Sequence, residues 1–134
     1  MEAKLGDSGL ARLIPHDQIV TCSTAVGTVG YIAPELLQSG QVTKKADVYS
    51  FGVLALVVAC GRLPLDPGSS TCSSLVNWVR LQNQNASILD ALDPILMELA
   101  TPYAPHGGAN IGDWRCVLHL GLLCCQKIQS CDQV

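Results

Sequence analysis

Residues 51–60 read FGVLALVVAC, ten positions without one polar side chain, closed by Gly61 and followed by Pro64. A stretch this apolar has to leave water. It is about half the length needed to cross a bilayer, so it is expected to be a buried helix rather than a span. The helix starts earlier than its apolar part. Thr43 suits an N-cap, Asp47 falls in the first turns where a carboxylate opposes the helix dipole, and Gly61 supplies the stop. Because the segment is apolar on nearly every side after Ser50, other elements are expected to wrap it.

What remains is helical punctuation more than strand. Pro34 suits the first turn of a short helix through about Gln38, ended by Ser39-Gly40. Ser73 or Ser74 starts an amphipathic helix carrying Leu75, Val76, Trp78, Val79 and Leu81. From Ile88 to Met97 the apolar pattern is broken by Asp93-Pro94. Asp113 is expected to cap a last helix with Trp114, Val117, Leu118, Gly121, Leu122 and Cys125 on one face, at i, i+3, i+4, i+7 spacing. Residues 2–5 suit the end of a short strand broken by Gly6 to Gly9. Residues 10–33 keep no helical period, and TCSTAVGT reads as a long irregular loop of the kind that carries function. LDPGSSTCSS is a linker, and TPYAPHGGANIG a second loop rich in Pro and Gly. The fold class is therefore mainly α with little strand. At 134 residues the chain suits one domain.

Charge and sulfur exclude several classes. The net charge is −3 and no run of Lys or Arg occurs, which argues against a phosphate-tracking nucleic-acid surface. Seven cysteines, an odd number without a C-x-x-C pair, and three histidines in no metal spacing argue against a zinc site. Cys60 and Cys124 read as buried thiols of a reducing compartment. MEAKLGDSG lacks an apolar signal core, so the expectation is a cytoplasmic chain with no membrane segment. Only 14% of residues are charged, against about a quarter in an average domain, which suits a piece of a larger body with surface left uncovered.

Three pieces stand in a telling order: Asp7-Ser8-Gly9 after the first short strand, Ala33-Pro34-Glu35 after the hydroxyl-rich loop, and DVYSFGV, residues 47–53, at the start of the buried helix. In that order and spacing the chain resembles the second half of a eukaryotic protein kinase domain. The flavour is that of plant receptor-like serine/threonine kinases, lectin-type ones above all. KLGDSGLARL is similar to their KLGDFGLARL, VGTVGYIAPE and KKADVYSFGVL fit nearly unchanged, and CGRLP, LVNWV, LDP and VLHLGLLCC continue the likeness over residues 3–126.

The resemblance implies a C-terminal-lobe fold: helices around one buried central helix, with a long activation loop. It implies that residues 1–134 are a partial kinase domain, from the Asp-Ser-Gly motif onward. By the same likeness Asp7 would hold Mg²⁺ and so touch the nucleotide. Ser23 and Thr24 fall where activating phosphorylation occurs; a solvated hydroxyl-rich loop accounts equally well for them and for Thr21. Thr28 and Gly30 would position the substrate, Ala33-Pro34-Glu35 would anchor the loop, and Asp47 would brace the catalytic loop unless it is simply a first-turn acid. ATP and Mg²⁺ are the cofactors of the intact family.

Departures from the pattern set further expectations. The glycine-rich loop, the phosphate-pairing lysine with its glutamate, and the His-Arg-Asp loop with the catalytic base would all lie upstream, so no catalytic set is complete in these residues. ATP and Mg²⁺ are then expected to bind weakly here, and the chain to be inactive alone. The arginine that would meet Glu35 would lie downstream. An unpaired buried carboxylate costs about 3–5 kcal/mol, so Glu35 is expected to be exposed or protonated, or the fold marginal. Ser8 replaces the family's Phe, an apolar plug. The expected partners are a protein or peptide substrate, or a full-length kinase for whose partners a non-catalytic module would compete.

Overall fold

A computed structural model describes residues 4, 6, 9, 20–21, 27–66, 74–100 and 109–126. In chain order the elements are β1 (Val20–Thr21), α1 (Pro34–Ser39), β2 (Gln41–Val42), α2 (Lys44–Cys60), α3 (Leu75–Gln84), a 3₁₀ turn (Ile88–Ala91), α4 (Pro94–Leu99) and α5 (Ile111–Cys124). The described fold is mainly α, as the sequence implies. The strand expected over 2–5 lies largely outside the described residues.

Local chemistry explains the helix ends. Pro34 opens α1, and Gly40 closes it in the left-handed region at φ 66°. The Thr43 hydroxyl accepts the Ala46 N–H at 3.3 Å to start α2. Gly61, at φ 61°, stops α2 by donating its N–H to the Val57 carbonyl at 2.9 Å. Ser74 caps α3 by accepting from the Asn77 N–H. Asp93 caps α4 through the Ile95 N–H at 2.8 Å, while its own N–H donates to the Ala59 carbonyl at 2.9 Å, tying α4 to the end of α2.

One cap differs from expectation. α5 starts at Asn110, whose side chain accepts the Asp113 N–H at 3.0 Å, while the Asp113 carboxylate accepts the Asn110 N–H at 3.0 Å. Asp113 is thus the third helical residue of a capping box, not the cap. Both termini of that exchange satisfy donors that the helix start leaves orphaned.

The core lies where α3, α5 and the 3₁₀ turn meet α2. Leu56 and Val53 of α2, Val79 of α3 and Leu118 of α5 are its largest fully buried members. Burial of each such side chain is worth about 1.5–3 kcal/mol. Gly52 and Gly121 let α2 and α5 pack backbone against backbone.

Among the described residues, α2 is the central helix and its partners pack mainly on one face of it. Val48, Phe51, Leu54 and Val58 form a stripe along it and are between 44% and 57% exposed. The physical reason is geometric: α3 and α5 both settle on the Gly52–Val53–Leu56–Cys60 face, leaving the opposite apolar side uncovered.

The two strands are a small antiparallel clamp, with Val20 opposite Val42 and Thr21 opposite Gln41. It brings together the two ends of the segment that holds the glycine turn and α1.

Candidate functional site

Within that clamped segment, residues 27–33 form a shaped turn. The Tyr31 N–H donates to the Thr28 carbonyl at 3.1 Å, closing a four-residue turn with Thr28 and Val29 exposed at its tip. Gly30 sits at φ 101°, where a side chain would be strained. A Cβ there would also lie 2.9 Å from Cγ and 3.0 Å from Cβ of Pro64. Pro64 in turn is held in place, since its carbonyl accepts the Leu75 N–H at 2.9 Å and Leu65 bridges Ser74. The turn therefore leans on a fixed wall made by the chain leaving α2.

A second hold comes from α2 itself. Ser50 Oγ lies 2.8 Å from the Tyr31 carbonyl oxygen and 3.0 Å from the Ala46 carbonyl oxygen. The hydroxyl proton is shared between them, and the shorter contact is the one to the turn.

The third hold is Ala33-Pro34. Ala33 is 1% exposed and extended, at φ −61° and ψ 136°, the conformation favoured before a proline. Its carbonyl accepts the N–H groups of Leu36 and Leu37 at 3.0 and 3.2 Å. Glu35 follows in the first turn of α1 and is exposed, one of the three outcomes expected for it. Its charge acts on Tyr49 of α2. Burial raises the Tyr49 phenol first, and the neighbouring Cys125 and Glu35 raise it further. The Cys125 thiol lies 3.7 Å from the Tyr49 carbonyl and is pushed up to about 11, chiefly by burial.

The structure thus brings Thr28, Gly30, Ala33, Pro34 and Glu35 into one continuous ledge on the α2 platform. Asp47 is exposed on the first turn of α2, three residues before Ser50. Asp7, Ser8, Ser23 and Thr24 lie outside the described residues. Sequence reasoning passed over Ser50 and Pro64 as contributors. The signal for Ser50 was a hydroxyl at the very point where α2 turns apolar.

A cavity of about 250 Å³ lies beyond the Pro64 wall, lined by Arg62, Leu63, Asp66, Leu75 and Trp78. The Arg62 guanidinium stacks 4.0 Å from the Trp78 ring centroid. No three His, Cys, Asp or Glu side chains converge among the described residues. Nor, among them, is any helix long and apolar enough to cross a membrane.

Comparison with known proteins agrees with the geometry. The protein kinase domain family matches residues 1–98. The L-type lectin-domain containing receptor kinase VI.2 of Arabidopsis thaliana is 41% identical over 127 residues, covering 95% of this chain and 17% of the relative. Receptor kinase I.7 of the same type and organism is 41% identical over 122 residues, 90% of this chain and 17% of the relative. Receptor kinase S.7 of Oryza sativa subsp. japonica is also 41% identical over 122 residues, 91% of this chain and 16% of the relative. The chain therefore spans at most 17% of the length of these relatives.

Proposed function

This chain belongs to the protein kinase domain family, and from that premise we propose that its residues form the peptide-receiving part of a receptor-like serine/threonine kinase. The observation that carries the proposal is the ledge at 27–33. Its tip, Thr28-Val29, is exposed, while Gly30, Tyr31 and Ala33 are held by Pro64, Ser50 and burial. An exposed tip on fixed supports suits capture of an extended peptide with little ordering cost at binding. The absence of a side chain at Gly30 lets the turn lie against Pro64, which backs the ledge from the side away from its exposed tip. Thr28 would meet the acceptor hydroxyl, and Ala33-Pro34-Glu35 would anchor the ledge to the helices.

ATP with Mg²⁺ supplies the phosphoryl group in this family. Catalysis of such transfer comes almost wholly from positioning and electrostatics. These 134 residues include neither a phosphate clamp nor a His-Arg-Asp base, so on their own they transfer no phosphoryl group at a useful rate. Ser23 and Thr24 remain the proposed regulatory acceptors, and Asp7 the proposed Mg²⁺ ligand when the rest of a kinase domain is present. The proposed setting is the cytosolic side of a receptor.

The test is incorporation of label from ATP into a generic acceptor protein and into the chain itself. The expected result is none above blank, together with no melting shift on adding Mg-ATP. Turnover that vanishes in Asp7→Ala would overturn it. A second reading, a non-catalytic module competing for partners of full-length kinases, is favoured by Ser8 standing where the family carries Phe. The intact mass of the natural product separates the two. A mass well above that of 134 residues supports the kinase, and a matching mass with co-purification of a full kinase supports the module.

A further inference from the structure

We propose that Ser50 is a positioning residue for the acceptor peptide, its hydroxyl holding the Tyr31 carbonyl and with it the Thr28–Tyr31 turn. This rests on reading the ledge at 27–33 as the peptide-receiving segment.

Three observations point to Ser50. The contact at 2.8 Å joins residues nineteen apart in sequence, and among the described residues no other side-chain hydrogen bond reaches this turn from a helix. A serine inside a helix ordinarily bonds the carbonyl four residues back. Here that contact, to Ala46, is the longer one at 3.0 Å, so the hydroxyl is drawn toward the turn. The turn also needs an external hold. Gly27 and Gly30 sit at φ 155° and 101°, and glycine backbone is the least self-ordering in a chain. Pro64 blocks the turn from one side but forms no hydrogen bond to it, so Pro64 limits where the turn can go without fixing where it stays. Ser50 fixes the carbonyl of the peptide that leaves the turn, and so the end of the Thr28–Tyr31 turn nearest α2.

Alanine separates this role from a structural one. It removes only the hydroxyl, and as the best helix former it leaves α2 intact. Threonine restores the hydroxyl and serves as the rescue variant.

The experiment uses the ¹⁵N-labelled chain, as wild type, Ser50→Ala and Ser50→Thr. Amide hydrogen exchange is read at Thr28 to Ile32 and, as an internal control, at Leu56 and Leu118. Each protein is then titrated to millimolar concentration with a degenerate Ser/Thr-centred decapeptide pool, following the same amides. The expected result is faster exchange in the turn but not at the control amides in Ser50→Ala, with peptide binding weakened about fivefold, the scale of one lost hydrogen bond. Ser50→Thr should recover both. Unchanged turn exchange in Ser50→Ala overturns the latch. Faster exchange with unweakened binding overturns the positioning role while leaving the ledge as the peptide site. A wild-type chain whose 27–32 amides ignore the peptide removes the peptide-receiving reading itself, and the positioning role with it.

Discussion

Gly52 of α2 and Gly121 of α5 face one another so closely that neither has room for a side chain. A Cβ on Gly52 would lie 2.8 Å from the Gly121 carbonyl oxygen and 2.6 Å from Cys124 Cβ. A Cβ on Gly121 would lie 2.7 Å from Leu56 Cδ2 and 3.2 Å from the Gly52 carbonyl oxygen. The platform under the ledge is thus set by two missing methyl groups.

Gly52→Ala should therefore destabilise the chain although alanine is the better helix former. Overpacking against backbone costs about 1–3 kcal/mol or more, against a propensity gain of about 0.5–1 kcal/mol. Gly121→Ala should cost less, because its clash is with a side chain, Leu56 Cδ2 and Cγ at 2.7 and 2.8 Å, while the nearest backbone atom, the Gly52 oxygen, stays 3.2 Å away. Melting temperatures of the two variants check the order, and the double variant should depart from additivity because the sites touch.

Gly30→Ala should act on the ledge more than on the core. It puts a side chain at φ 101° and 2.9 Å from Pro64 Cγ. Backbone strain of this kind costs about 1–3 kcal/mol, and the turn can relieve it by lifting off the wall. The expected outcome is a small loss of melting temperature with a large change in the amide shifts of residues 27–32. An unshifted turn would show that the Pro64 contact holds nothing.

Thiol titration gives a pH prediction with a definite sign. Cys60 and Cys125 are both pushed up to about 11 from a reference of 9.0, chiefly by burial. Between those values the unfolded chain loses thiol protons that the folded chain keeps, so the unfolded state binds fewer protons and stability falls as pH rises. Below pH 9 the effect is absent. Denaturant midpoints measured from pH 8 to 11 should decline, and the decline should flatten in a Cys60→Ala/Cys125→Ala double variant. Alkylation at pH 8 should mark the exposed Cys116 well before either buried thiol.

How much of this was legible from residues alone follows from the range of the forces involved. The ends of α1 and α2 were, because a proline, a threonine and two left-handed glycines act within four residues of themselves. The start of α5 was missed by three residues, since Asn110 and Asp113 are both good capping types and only the reciprocal pair of hydrogen bonds tells them apart. The β1–β2 clamp is two residues long on each side and has no period to detect. The family motifs marked Thr28 to Glu35 as one segment. They did not reveal its supports: Ser50 and Pro64 act across nineteen or more positions, and composition is silent about which side of an apolar helix finds a partner. That silence is why the apolar run after Ser50 was expected to be wrapped by other elements.

The cation stacked on Trp78 offers a local check on the wall behind the turn. Arg62→Ala should cost about 0.5–1 kcal/mol at so exposed a site, with Arg62→Lys recovering part of it. Trp78 emission should shift in the alanine variant as the ring face opens to water. An unchanged spectrum would mean that the stack is not populated in solution.

The account turns on where an acceptor peptide lies. A Ser/Thr-centred peptide pool with a photoreactive benzophenone next to the acceptor, cross-linked to the chain and mapped by mass spectrometry, reports that directly. The account predicts adducts on residues 27–33 and on the Pro64-Leu65 wall, reduced in Ser50→Ala. Adducts confined to the exposed apolar stripe of α2 or to the outer side of α5, with none on the ledge, would contradict it.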